Sequence, residues 1–272
     1  MNKLFEKILV SIEPSKEWKI FLNSITSMFP DSFFHILSVI DTTKFLGRGI
    51  RLYEDYISDL IENSMKEYEE ILNKKGAKYE INIRKGRVVS NVFDLANKEN
   101  INLIIIGSHS ALGVKRLKLG GIAKEILINS HIPVLIMNSL IEPPKTPKIL
   151  NPTTGSPFSY EASMFALNFA KNFNSILTVL YLIKNESEAN EYFNKIKVEA
   201  EKLNVSVNFK ITEDDPLKSI LDNSKENDLI IGSRGYKGFK YRLRFFIKEF
   251  SLDYIVRSTV TLSEKPVLLI CD

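Results

Sequence analysis

At 272 residues, with 44% hydrophobic and 26% charged side chains and a formal net charge of +4, the chain has the composition of a water-soluble protein with a full core, long enough for one large domain or two ordinary ones. The mild positive excess does not argue by itself for nucleic acid or an acidic surface as partner. The single cysteine, Cys271, excludes an internal disulfide and fits a reducing cytoplasm; no Cys/His cluster has metal-ligand spacing, and no apolar run approaches the roughly 20 residues of a membrane helix.

The chain opens directly into an apolar run, with Glu6 and Glu13 interrupting anything like a signal peptide. Lys7–Ser11, Phe33–Ile40, 79–83, 103–106 and Val134–Met137 read as strands. Uninterrupted runs such as Leu103-Ile104-Ile105-Ile106 suggest strands buried on both faces. Between them, Lys16–Met28, 53–73, 90–99 and Gly121–Asn129 carry apolar residues three and four apart, the spacing of a helix with one buried face. Alternation of this kind implies right-handed crossovers and a parallel, doubly wound sheet, whose ligands sit beyond the carboxyl ends of the strands. Those ends are Ser11 to Glu13, Val39 to Asp41 and Gly107 to Ser110.

Pro143-Pro144-Lys145-Thr146-Pro147 then interrupts the pattern, since three prolines in five residues suit neither a helix nor a central strand. Beyond it the order repeats. Lys7-Ile8-Leu9 is echoed by Lys148-Ile149-Leu150, Ile104-Ile105-Ile106-Gly107-Ser108-His109 by Leu229-Ile230-Ile231-Gly232-Ser233-Arg234, and Pro133-Val134-Leu135 by Pro266-Val267-Leu268. The expectation is a first domain over residues 1–141, a linker over 142–147 and a second domain over 148–272, each Rossmann-like and five-stranded. Asp214-Asp215 before Pro216 reads as a helix start. The second copy is shorter between its second and fourth strands. The extra piece of the first, around residues 42–56, is placed to cover the mouth of a site.

The loop after the fourth strand carries a family signal. Gly107-Ser108-His109-Ser110, nine further residues and Gly120-Gly121 resemble the ATP-binding loop of the universal stress proteins, which has two glycines three apart, nine residues and then Gly-Ser or Gly-Thr. Ser110 stands where the second glycine belongs, and Gly121 where the hydroxyl residue does. The second copy keeps Gly232-Ser233-Arg234-Gly235. Nine residues on stand Phe245-Phe246, while counting back from Pro266 gives Asp253-Tyr254. The resemblance implies a tandem universal stress protein with degenerate motifs, the two domains forming a pseudo-dimer through their final strands. It implies an ATP or AMP site in the first copy, built from Ser11, Ile12, Glu13, Val39, Ile106, Gly107, His109, Ser110, Gly120, Gly121 and Ile122. Glu13 stands where the family has an aspartate; Thr154 is its uncharged counterpart in the second copy.

Glycines also admit close approach of backbone N–H groups to phosphate without any family argument, at the start of a helix that favours anions. The plainer alternative is that they only make a tight turn. Ser108, His109 and Ser110 are adjacent and lack an orienting acid, which argues against a nucleophile and base. His35 and His131 read as structural. Residues 236–250 interleave Lys237, Lys240, Arg242, Arg244 and Lys248 with Tyr236, Phe239, Tyr241, Phe245, Phe246 and Phe250. Such a segment suits a buried contact between domains or chains, with single-stranded nucleic acid or a membrane surface as the alternative. The reading is a cytoplasmic binding or regulatory module with a protein partner or self-association. A nucleotide-independent interaction protein and a slow ATPase are the alternatives.

Overall fold

Short apolar strands alternate with amphipathic helices from the start of the chain. The computed structural model describes residues 4–44, 50–108, 119–138, 144, 146–183, 185–212, 214–234 and 252–270. The chain divides into two compact units, one over Phe5–Glu142 and one built on Pro143–Asp272, so the division falls at the head of the proline run.

The first unit runs β1 (Lys7–Ser11), α1 (Lys16–Met28), β2 (Phe33–Ile40), a 3-10 turn (Thr42–Lys44), α2 (Ile50–Lys74), β3 (Lys78–Lys85), α3 (Val88–Glu99), β4 (Leu103–Gly107), α4 (Gly121–Asn129) and β5 (Val134–Met137). All its strands pair parallel, in the order β3-β2-β1-β4-β5. Ile8, Leu9 and Val10 of β1 and Ile104 and Ile105 of β4 are wholly buried, because helices cover both faces of the central strands. The edge strand β3 alternates in exposure and carries Lys78, Glu80, Arg84 and Lys85, charges that discourage pairing with another chain.

The second unit repeats this with β6 (Ile149–Thr153), α5 (Pro157–Phe173), β7 (Leu177–Tyr181), α6 (Glu186–Leu203), β8 (Val207–Ile211), α7 (Pro216–Ser224), β9 (Leu229–Ser233), α8 (Leu252–Leu262) and β10 (Val267–Ile270). Its strand order is β8-β7-β6-β9-β10, again parallel. Its first three helices are capped by side chains: Ser156 accepts from the Ser159 N–H with Pro157 at the first helical position, and Asn185 accepts from the Glu188 N–H. Asp215 accepts from the Lys218 N–H at 3.0 Å, the helix start read from Asp214-Asp215-Pro216. Three helices, α3, α5 and α6, end on an asparagine in the left-handed region: Asn100, Asn174 and Asn204.

Helix starts differ from the sequence reading where no capping residue marks them. α3 opens at Val88 behind Arg87, which makes no side-chain cap, and α2 opens at Ile50, since nothing between Gly49 and Tyr53 breaks a helix. His35 lies buried in β2, whereas His131 is exposed in the turn before β5.

One correction concerns the repeat itself. Asn102 accepts from the Lys7 N–H through Oδ1 at 3.1 Å, and its own N–H donates to the Lys7 carbonyl at 3.0 Å. Asp228 does the same with Lys148, at 2.9 and 2.8 Å. On the other side of the strand, Ile104 and Ile230 donate to the carbonyls of Pro133 and Pro266, and Ser108 and Arg234 to those of Met137 and Ile270. These bonds make Asn102 equivalent to Asp228. Gly107 therefore corresponds to Ser233, and Gly232 to Ile106. The match of Gly-Ser letters is one residue out of backbone register, and a one-residue slip sends a side chain to the opposite face of a sheet.

Candidate functional site

In each unit the strand order reverses between the first and fourth strands, so a crevice opens at their carboxyl ends. In the first unit Ser11 pairs with Ile106 across this boundary, and Gly107 pairs with Met137. Ile12 is buried and its N–H donates to the Leu37 carbonyl at 2.9 Å, while Glu13 is half-buried just beyond. Val39 is half-buried near the end of β2. Among the predicted residues, β1, β2 and β4 thus bring Ser11, Ile12, Glu13, Val39, Ile106 and Gly107 to one end of the sheet. His109 and Ser110 lie outside the described residues.

The loop after β1 is held by a residue that the sequence reading placed only within a helix. Tyr68 of α2 is fully buried, and its hydroxyl accepts from the Ser15 N–H at 3.0 Å. The same hydroxyl reaches the carbonyls of Ser15 at 2.9 Å and Glu13 at 3.2 Å. Burial raises the phenol's pKa, so it stays protonated and able to donate. Nothing in the local sequence signals this, because the partners stand 53 and 55 residues away.

Gly120 caps α4 with φ −58° and ψ 145°, and its N–H donates to the Ser108 carbonyl at 3.3 Å. Any residue adopts that backbone, and a Cβ there would meet the Ser108 oxygen only at 3.5 Å, an ordinary contact. Among the described residues, a Cβ on Gly121 would meet nothing within 4 Å. Neither glycine is demanded by its own backbone conformation or by a described neighbour. No side chain caps α4, so the first N–H groups of the helix have no partner from that source. One turn on, Glu125 is paired with Arg87 at 2.6 Å, and Lys85 with Glu54 at 2.9 Å.

The second unit treats the same crevice differently. Pro152 has no N–H for the Ile231 carbonyl, which the ladder through Ile149–Leu229 and Leu150–Ile230 would otherwise satisfy. The buried Asn151 side chain donates to that carbonyl instead, at 2.8 Å, and Ser163 in turn donates to Asn151. Gly155 has φ +74°, and a Cβ there would lie 2.5 Å from the Tyr181 hydroxyl. Tyr181 occupies the position of Ser38 in the first unit, as the pairings Ile8–Phe34 and Ile149–Leu177 fix. Thr154 offers no carboxylate.

The last helix, α8, begins at Leu252, past Phe245 and Phe246. Ser130 and Ser263 each bridge to the residue two further on through hydroxyl and N–H, which aligns α4 with α8 and sets Asp253 opposite Gly120 and Tyr254 opposite Gly121. Residues 235–251, and with them Gly235, Phe245, Phe246 and the basic and aromatic segment 236–250, lie outside the described residues. Among the described residues there is no group of three His, Cys, Asp or Glu suited to a metal, and no helix long and apolar enough to cross a membrane.

The family model for the universal stress protein family matches residues 5–138, the whole fold of the first unit. Through this half, the chain belongs to the universal stress protein family. A universal stress protein of Methanocaldococcus jannaschii is 24% identical over 111 residues, 39% of this chain and 65% of that relative's length. A universal stress protein of Archaeoglobus fulgidus has the same fold over both halves, with a TM-score of 0.78 at 20% identity, covering 100% of this chain and 99% of that one. A Pseudomonas aeruginosa protein is similar at TM-score 0.65 and 15% identity, covering 100% and 95%. The tandem α/β fold of this chain is thus shared over nearly the full extent of both solved structures.

Proposed function

We propose that the chain is a cytoplasmic stress-response binding module whose first unit holds one adenine nucleotide, ATP or AMP. The observation that carries this is the pair Gly120-Gly121 at the start of α4, a backbone with no side-chain cap and, among the described residues, no neighbour that requires a glycine. Phosphate oxygens would take the N–H groups of Gly121 and Ile122, with the helix dipole favouring the charge. Glu13 would accept hydrogen bonds from ribose hydroxyls. Ile12, Val39 and Ile106 would bound the base, and Ser11, Gly107, His109 and Ser110 the rest of the crevice. The module would then report its nucleotide state to a protein partner or a second copy of the chain. No catalytic residue is assigned.

Mass spectrometry of small molecules released from the freshly purified, denatured protein tests this. Adenine nucleotide, with a thermal shift on adding ATP, is the expected result. Neither nucleotide nor shift would leave the chain an interaction protein independent of nucleotide.

A further inference from the structure

Among its described residues the second unit leaves a hollow where the first unit carries larger side chains. This hollow, of about 50 Å³, opens at the crevice beside Thr154 and Ser156 and is walled by Ile220 of α7, Ile230 and Gly232 of β9, Ile255 and Thr259 of α8 and Val267 of β10. The backbone bonds of Asn102 and Asp228 put Gly232 at the place of Ile106. The hydroxyl bridges of Ser130 and Ser263 put Thr259 at the place of Ile126. Ile106 and Ile126 are 3% and 0% exposed, so both fill the core of the first unit.

In the second unit one of these isoleucines is a glycine, and the nearest atom to a Cβ built on it is Pro152 Cγ at 3.9 Å. The other is a threonine, 5% exposed, whose hydroxyl has no hydrogen-bond partner among the described residues. Both changes act against stability: one removes packing, the other buries an unpaired polar group. A half kept only as scaffold has no reason to carry both in one place.

We propose that this cavity binds a small, mostly apolar molecule carrying one hydroxyl, which meets Thr259 Oγ1. The described walls carry no charged side chain and are aliphatic apart from Ser and Thr hydroxyls, which argues against an ionic ligand, and the volume is far below the roughly 300 Å³ at which drug-sized ligand pockets begin. The site is independent of nucleotide binding in the first unit.

The test is a titration of the methyl-labelled full chain with 1-propanol, read by NMR. Saturable shifts are expected at the methyls of Ile220, Ile230, Ile255 and Val267. Thr259→Val keeps the shape without the hydroxyl and should weaken binding about two- to tenfold, the worth of one hydrogen bond. Thr259→Ile restores the side chain of the first unit; it should abolish the saturable shifts and raise the melting temperature. Should that variant fail to fold, Gly232→Ala, for which there is room, narrows the same cavity and should weaken binding. Unsaturable shifts spread over both units would overturn the proposal, as would water alone in the cavity or unchanged binding in the filled variants. Equal affinity in Thr259→Val would overturn the role given to the hydroxyl.

Discussion

Replacing Tyr68 with phenylalanine removes one oxygen from a fully buried ring and leaves the packing of α2 on the sheet intact. The Ser15 N–H, which donates to that oxygen at 3.0 Å, loses its partner, and the carbonyls of Ser15 and Glu13 lose their donor. A buried donor left unpaired costs about 1–3 kcal/mol, and water reaching the half-buried loop recovers part of it. We expect a loss of about 1–2 kcal/mol, a melting temperature lower by roughly 3–6 °C for a unit of this size. Because Glu13 sits on the loop that Tyr68 pins, nucleotide affinity should fall as well. Urea unfolding and calorimetry with ATP measure the two effects. A stability change under about 0.5 kcal/mol, the range of ordinary surface substitutions, would refute the claim that the hydroxyl holds this loop.

The remaining expectations concern single sites. Gly121→Val should leave stability within about 0.5 kcal/mol, since no described residue stands within 4 Å of its Cβ, yet lower ATP affinity at least about tenfold; calorimetry showing unchanged affinity, or two nucleotides per chain, would reverse the assignment to the first unit. Gly155→Ala should destabilise by roughly 2 kcal/mol or more, from the positive φ and the contact with Tyr181, and part of the loss should return in a Tyr181→Phe background, as thermal unfolding would show. His35 has both ring nitrogens buried without a hydrogen bond, Glu80 lying too far at 3.6 Å, and burial lowers its pKa against the opposing pull of Glu80 and Glu99, with Lys7 and Lys98 adding to the lowering. The unfolded chain therefore takes up the proton first as pH falls, so this contribution is full above about pH 6.5 and is lost below it; His35→Leu should flatten stability between pH 5 and 7 in urea titrations.

Most of the fold was legible because its signals are local. A strand buried on both faces must be apolar through its buried stretch, as Ile8-Leu9-Val10 and Val134–Met137 are, so Lys7–Ser11 and Val134–Met137 have the bounds their letters suggest. Edges were harder. β3 runs on to Lys85 past the last apolar residue, because an edge strand pairs on one side and tolerates charge on its exposed positions. α3 starts ahead of the reading because the first turn of a helix needs no signal when its cap contributes only backbone.

The site was legible only where the same logic applied. Gly120-Gly121 could be picked out by composition, but whether the glycines served a turn or left a backbone bare depended on φ and on neighbouring atoms. Tyr68 reads as one more apolar position of α2, and only the folded chain brings its oxygen to Ser15. The slip at Gly232 was hidden by a better match of letters. Aligning Gly-Ser with Gly-Ser costs nothing in a string, but in a parallel ladder the residue after Asp228 must pair as the residue after Asn102 does, whatever its side chain. With that constraint β4 and β9 end at equivalent residues, Gly107 and Ser233, and the glycine of the second copy stands one place earlier, at the position of Ile106. The two halves therefore differ in more than the residues of the loop: Gly232 stands for the buried Ile106 and Thr259 for the buried Ile126, so a match of letters at the loop hides two changes in the packing behind it.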